Sequence, residues 1–309
     1  MPKPKVLIIA GPTATGKTAL SVAIAEQLRA EIISADSRQI YRFMDIATAK
    51  PSKEELQRVP HHFIDIVNPD ETYNAGQFGR EGRETVQSIV SAGKTAIITG
   101  GSGLYIQALV DGFFGEVARD EEIRKRIRED MHTLGLEAVY ARLRRLDPEA
   151  AARIHPNDAR RIERALEVFE ITGRPISELQ RSQAGACPFE PVFVGLIRER
   201  SVLYAGIEQR IDRMIEQGVI EETKELLRRG YSPDLISMEG LGYREIIRYL
   251  NGEDSYEEML RLFKQHSRNY AKRQITWFKK EKRLRWFDAG ETPNQERLAQ
   301  SILDYYRRS

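Results

Sequence analysis

The sequence predicts an α/β protein, a parallel sheet flanked by helices with an all-helical subdomain inserted into it. Three observations carry that class. Short apolar runs alternate with segments of helical periodicity over the first 110 residues. Strand signals then vanish from about 119 to 182, where only helical periodicity remains, and return at 192–196. The first apolar run opens directly into Gly11, Pro12, Thr13, Ala14, Thr15, Gly16, Lys17 and Thr18, followed by a helical stretch.

In chain order, the run 6–10 is continuous and apolar, as a strand covered on both faces should be, and 19–28 repeats apolar residues at helical spacing. A second strand is expected at 31–35, ending at Asp36, and a short third at 63–67. Residues 74–92 read as a helix stopped before Gly93. Another buried strand, 95–99, breaks at Gly100, Gly101, Ser102 and Gly103 into a helix at 104–110. Helices at 121–131, 136–146 and 158–172 are separated by Gly135, by Asp147 and Pro148, and by His155, Pro156 and Asn157. After the strand at 192–196 come helices at 201–217, 220–229, 243–250 and 255–280, a strand at 285–287 and a terminal helix from 294. The expected division is a core over 1–118, a helical insertion over 119–190, and a return to the core with basic C-terminal helices over 191–309. Ligands of such sheets bind beyond the carboxyl ends of the strands, which places the glycine loop, Asp36 and the 100–103 turn on one rim.

Strand, G-x-x-x-x-G-K-T, helix is the context of a phosphate-cradling P-loop, so the core is P-loop NTPase-like. Its glycines let the backbone wrap an anion, and N–H groups at the helix start point at it. Lys17 would meet the outer phosphate and Thr18 a Mg²⁺ ion.

The 309 residues suffice for one large domain and a smaller unit, and 41% hydrophobic with 30% charged residues describes a well-cored protein. No run approaches the ~18 apolar residues of a membrane span. Residues 1–5 lead straight into the first strand, leaving no room for a signal peptide. Cys187 stands alone, which excludes an intramolecular disulfide and a cysteine-rich zinc site. The chain therefore reads as cytoplasmic.

Asp36, at a strand end on the ligand rim, can hold Mg²⁺, act as a base beside the phosphates, or cap a turn. No other strand ends in an acid suited to Walker-B duty, which weakens an ATP-hydrolysing reading. The 100–103 turn can be a second anion site or only a tight strand-to-helix turn. Arg160, Arg161 and Arg164 follow a helix start and suit RNA phosphates, or a solvated face paired with Glu163 and Glu167. From 264 to 285 nine Lys/Arg face one acid, Glu281, a local excess hidden in a net charge of +2. Lys264, Arg268 and Lys272 form an i, i+4, i+8 stripe with Trp277 and Phe278 near its end, a pattern suited to single-stranded RNA.

With these pieces in place, the chain resembles the tRNA dimethylallyltransferases, the bacterial tRNA isopentenyl transferases, almost end to end. The resemblance rests on GPTATGKT (11–18), ISADSRQIYRFMDIATAKP (33–51), GGSGLY (100–105), PNDARRIERALEV (156–168), GYRE (242–245) and KRQITWF (272–278). It implies that dimethylallyl diphosphate donates a five-carbon unit to N6 of adenosine 37, beside the anticodon, in tRNAs reading codons that begin with U. By position, it implies Asp36 as general base with Lys17 and Ser102 in the catalytic set, and residues 11–18 with Arg210 as diphosphate contacts. Contacts to tRNA are implied for Asp36, Ser37, Arg38, Gln39 and Ser102. Further tRNA contacts are implied for Arg124, Arg160, Arg161, Ile162, Glu163 and Arg164, and for Glu239, Gly240, Leu241, Gly242, Tyr243 and Arg244. Lys272, Arg273, Gln274, Trp277 and Lys279 complete that set. Ser102 stands where the family has a threonine and keeps the hydroxyl. Mg²⁺ on Thr18 is the implied cofactor, no zinc is expected, and the partners are the tRNA anticodon stem-loop and the donor, with the protein a monomer. The competing readings are a P-loop kinase acting on a nucleotide or other small metabolite, and an RNA-binding protein using its loop as a nucleotide switch.

Overall fold

The structure, a computed structural model, describes residues 3–112, 120–182, 187–291 and 294–309. It divides into two compact units, one of residues 1–110 with 188–309 and one of residues 111–187. The boundary expected between 118 and 119 lies outside the described residues.

The first unit is built on a six-stranded sheet in which every pairing is parallel. Its strands are β1 (Lys5–Ala10), β2 (Ala30–Ser34), β3 (His61–His62), β4 (Thr95–Gly100), β5 (Glu190–Ile197) and β6 (Arg285–Asp288), in the order β3-β2-β4-β1-β5-β6. β1 lies between β4 and β5, with Ala10 opposite both Gly100 and Gly195, so these three strands reach the rim in register. On one face α1 (Lys17–Leu28) and α14 (Gln295–Arg308) cover Leu7, Ile9, Ile32, Ile97, Val194 and Leu196 through Leu20, Ile24, Ile302 and Leu303. Val6 and Ile8 alternate to the opposite face and are equally buried, which is why the β1 run reads as continuously apolar.

The strand expected at 63–67 is not formed. Phe63 and Asp65 adopt φ of 64° and 57°, which breaks the extended run. The pairing is made instead by His61 and His62, and Val67 contributes only an isolated bridge to Tyr41. Lys50, with its ammonium on Asp45, Asp65 and the Tyr41 carbonyl, ties this irregular segment down. Helix α2 (Lys53–Arg58) starts on a Ser52/Glu55 capping box. Around the sheet lie α3 (Ala75–Ser91) and α4 (Gly103–Asp111), and after β5 come α10 (Arg200–Glu216), α11 (Val219–Arg228), α12 (Tyr243–Leu250) and α13 (Tyr256–Phe278).

The second unit is helical throughout its described part: α5 (Glu121–Thr133), α6 (Leu136–Leu146), α7 (Pro148–Arg153), α8 (Ala159–Thr172) and α9 (Ile176–Ser182). It has its own core of Ile127, Val139, Leu143, Ile162, Leu166 and Val168. Helix α7 is too short for periodicity to mark, although Asp147 capping the Ala150 N–H and proline at the first helical position are its ordinary start signals.

Candidate active site

β1 runs into the glycine loop at the carboxyl rim of the sheet. A Cβ on Gly11 would lie 2.5 Å from the Leu196 carbonyl oxygen, so the loop leaves the sheet in contact with β5. Gly16 caps α1 at φ 86° and brings no side chain to the first helical N–H groups, which stay available to an anion. Thr15 Oγ1 and Lys17 Nζ both donate to the Pro12 carbonyl, at 2.9 and 2.7 Å. Thr13 is held from two sides, its N–H donating to Gln274 Oε1 at 2.9 Å and its hydroxyl accepting from Arg210 Nη1 at 3.0 Å.

This crowding shows in the protonation of the cations. Burial, and then repulsion from Arg210, pull Lys17 down to about 7, against an opposing pull from Asp36. Burial lowers Arg210 as well, again with Asp36 opposing. An anion at the loop would therefore restore charge to Lys17.

Asp36 follows β2. Its Oδ1 accepts the Arg38 N–H at 2.9 Å, while its second oxygen has no hydrogen-bond partner among the described residues. The strand ends are locked together around it. The Ala35 N–H donates to Thr99 O at 2.7 Å, the Ser102 N–H to Ala35 O at 3.1 Å, and the Ser37 N–H to Ser102 Oγ at 3.0 Å. Burial, together with the nearby Asp36 charge, pushes the Tyr270 phenol up to about 12, so it stays protonated near neutral pH. Arg38 turns away, with Nη1 on the Ile236 carbonyl at 2.6 Å. Gln39 has both amide ends occupied, its Oε1 by Ser34 Oγ and its Nε2 by the Ala49 carbonyl.

The glycines of the 100–103 turn answer to packing. A Cβ would lie 2.1 Å from Ala35 O at Gly100, 2.2 Å from Gln274 Nε2 at Gly101 and 2.1 Å from Trp277 Nε1 at Gly103. With the Ser102 N–H on Ala35 O, the turn is a seat for α13, and what it contributes towards Asp36 is the Ser102 hydroxyl. Gln274 joins turn to loop, taking the Thr13 N–H on Oε1 and donating from Nε2 to Gly101 O at 3.0 Å.

The stripe on α13 needs correction. Lys264 and Arg268 are not free for RNA: Lys264 pairs with Asp212 at 2.6 Å and Arg268 with Glu208 at 2.5 Å, both acids lying on α10. Lys272, Arg273 and Lys279 are exposed beyond that seam, and Trp277 is 38% exposed. In 239–244, Glu239 and Arg244 are exposed, Gly240 is buried and Leu241 is half-buried. Gly242 takes φ 91° with Phe263 crowding its missing Cβ at 2.7 Å. Tyr243 is a correction too: it is buried, donates to Glu222 Oε1 at 2.7 Å, and so braces the carboxylate that accepts the Asp45 and Ile46 N–H groups. Glu245 is destabilised as an anion by burial, but His266, Arg244 and the Gly242 N–H outweigh this and hold its pKa below the usual range.

Within the helical unit, Ile162 belongs to the core and cannot reach RNA. Glu163 opposes burial with Arg128 and Arg124, the latter at 2.5 Å, and its pKa is lowered. Arg164 pairs with the buried Glu167 at 2.7 Å. Arg160 and Arg161 remain outward, Arg161 beside Asp158 at 3.3 Å.

A magnesium ion fits this donor set in one way. Thr18, half-buried in the first turn of α1, can supply one hydroxyl, and no cluster of three or more His, Cys, Asp or Glu suited to a metal exists among the described residues. That matches an ion held largely by substrate phosphates and water. Tyr270 carries no motif of its own in the sequence, though it shares a helical face with Gln274 and Trp277.

A family model described as IPP transferase matches residues 39–281. A tRNA dimethylallyltransferase of Thermotoga neapolitana is 49% identical over 285 residues, 92% of each chain. One from Thermoanaerobacter pseudethanolicus is 44% identical over 305 residues, 97% of each. Among solved structures, a tRNA isopentenylpyrophosphate transferase from Bacillus halodurans is similar with TM-score 0.74 and 38% identity, covering 99% of this chain and 98% of the other. A eukaryotic dimethylallyltransferase described as acting on tRNA is similar with TM-score 0.83 and 27% identity, covering 99% and 80%.

Proposed function

The chain belongs to the IPP transferase family, and we propose that it transfers a dimethylallyl group from dimethylallyl diphosphate to N6 of adenosine 37 of tRNAs reading codons that begin with U, releasing diphosphate. The observation that carries this reading is the pairing on one rim of a phosphate loop with Asp36, whose second carboxylate oxygen has no hydrogen-bond partner among the described residues.

The adenine N6 lone pair is delocalised into the ring, so the amine is a weak nucleophile. An allylic donor compensates, since its C1 carries positive charge as the C1–O bond breaks. The N6–C1 bond forms, the bonding pair leaves with diphosphate, and Asp36 takes the N6 proton. Lys17, Arg210 and the helix-start N–H groups place positive charge where the leaving group gathers negative charge. Mg²⁺, held by Thr18 and the diphosphate, would add charge neutralisation there. Ser102, whose hydroxyl accepts the Ser37 N–H and donates to Ser37 Oγ, is tied in this way to the residue next to Asp36 in the chain.

The target base must leave its stack, at a cost of a few kcal/mol that is least in an unpaired loop. Lys272, Arg273, Lys279 and Trp277 on α13, and Arg160 and Arg161 on α8, are the exposed groups that offset it through phosphate contacts and stacking. No helix among the described residues is long and apolar enough to cross a membrane.

The test is to incubate protein, unmodified tRNA and Mg²⁺ with labelled dimethylallyl diphosphate or labelled ATP. Prenyl label in the RNA at adenosine 37 is the expected result. Label passing from ATP to a small acceptor would restore the kinase reading, and tRNA binding without transfer the switch.

A further inference from the structure

We propose that Arg198 is a further cation of the diphosphate site, engaging the donor's phosphate oxygens alongside Lys17 and Arg210; this rests on the donor reading above. Arg198 directly follows β5, the strand paired with β1, so its backbone stands on the same carboxyl-end rim as the glycine loop. Its side chain faces the loop across a bare flank of α10. A Cβ on Gly206 would have Arg198 Nη1, Ala14 Cβ and Ala14 O each at 3.9 Å. The glycine thus leaves open the gap between guanidinium and loop.

The second observation concerns what Arg198 lacks. Its Nε is buried and has no hydrogen-bond partner, and no ion pair holds its guanidinium among the described residues. The other arginines of this rim are engaged, Arg210 on Thr13 and Arg38 on the Ile236 carbonyl. The adjacent Glu199 does not pair with it, because its carboxylate caps α10 through the Ser201 and Val202 N–H groups. Buried charged donors without an acceptor are rare and need one from elsewhere. A diphosphate has non-bridging oxygens on both phosphorus atoms, enough for Arg198 as well as the loop. A guanidinium binds such oxygens through two N–H groups at once.

A phosphate of the tRNA backbone offers the same chemistry, so the test separates the two. Binding of inorganic diphosphate and of an anticodon stem-loop RNA is measured by calorimetry, with the donor KM at saturating tRNA. Arg198→Ala should weaken diphosphate binding and raise the donor KM by roughly 10-fold, the scale of one charge-assisted hydrogen bond, with RNA affinity unchanged. Arg198→Lys should recover part of that affinity. Arg198→Gln serves if Arg198→Ala fails to fold, as checked by circular dichroism. Full diphosphate affinity without the guanidinium, while Lys17→Ala loses it, overturns the proposal and leaves the donor reading standing. Loss of RNA affinity with diphosphate binding intact also overturns it, reassigning Arg198 to RNA. A wild-type protein that neither binds diphosphate nor transfers the prenyl group removes the donor reading and this proposal together.

Discussion

Lys17, with its pKa near 7, changes charge in the range where tRNA chemistry is run, and this has a stability consequence with a definite sign. Between about pH 7 and pH 10.5 the unfolded chain holds a proton on this lysine that the folded chain has released. Stability contributed at this site therefore rises with pH through that window and is flat below it, where both states are protonated. Lys17→Met removes the effect. The melting-temperature gain of that variant over wild type, measured without diphosphate, should be largest at or below neutrality and shrink towards pH 10. A gain that grows with pH would contradict the burial of the ammonium. Asp36 enters the same balance, since it raises the pKa of Lys17. Asp36→Ala should slow single-turnover prenyl transfer by roughly 10²–10⁴-fold with tRNA binding nearly intact. Because it also removes a charge that favours protonated Lys17, the comparison is made with the diphosphate donor saturating, where the bound anion keeps the lysine charged. Wild-type rates there would remove Asp36 as the base.

Helix α13 shows how an element can mislead in sequence and be understood in space. Its i, i+4, i+8 cations look unopposed along the chain, but Asp212 and Glu208 meet two of them from α10, more than fifty residues away. Periodicity identifies which residues share a face; it says nothing about what packs there. Lys264→Ala with Arg268→Ala should therefore leave the salt dependence of tRNA binding unchanged. Lys272→Ala with Arg273→Ala should lower its log–log slope by up to about 0.7–0.9 for each phosphate that the helix no longer neutralises. Equal slopes for the two pairs would refute the division of the helix into a sealed seam and an exposed end. The same contrast explains what else was legible. Continuous apolar runs, glycine breaks and the G-x-x-x-x-G-K-T spacing located β1, β2, β4 and β5, the loop and Asp36, because these signals are local. The 63–67 segment defeated the reading because Phe63, an aromatic that rarely turns left-handed, does so, and Asp65 follows it in an otherwise apolar run. The role of Gln274 was hidden for the same reason as the acid pairs: its partners, Thr13 and Gly101, lie 261 and 173 residues away.

At the scale of the molecule, a helical unit with a core of its own means that stability need not be lost all at once. The sheet unit is held by α1 and α14 on Leu7, Ile9 and Ile97, and the helical unit by its own cluster around Ile127, Ile162 and Leu166. Leu166 is fully buried in the second cluster, and truncating such a leucine costs about 2–5 kcal/mol. That cost should fall on the cooperative unit containing it. In Leu166→Ala, amide hydrogen exchange should quicken through the described helices of 121–182 while β1, β4 and β5 keep their protection. Diphosphate binding, proposed to use Lys17, Arg210 and the α1 N–H groups of the other unit, should be unchanged. Turnover on tRNA should fall, because Arg160 and Arg161, proposed to meet tRNA phosphates, sit on α8, the helix that Leu166 anchors. A uniform loss of protection across both units, or weakened diphosphate binding, would show that the two cores fold as one and that the helical unit is part of the donor site's support.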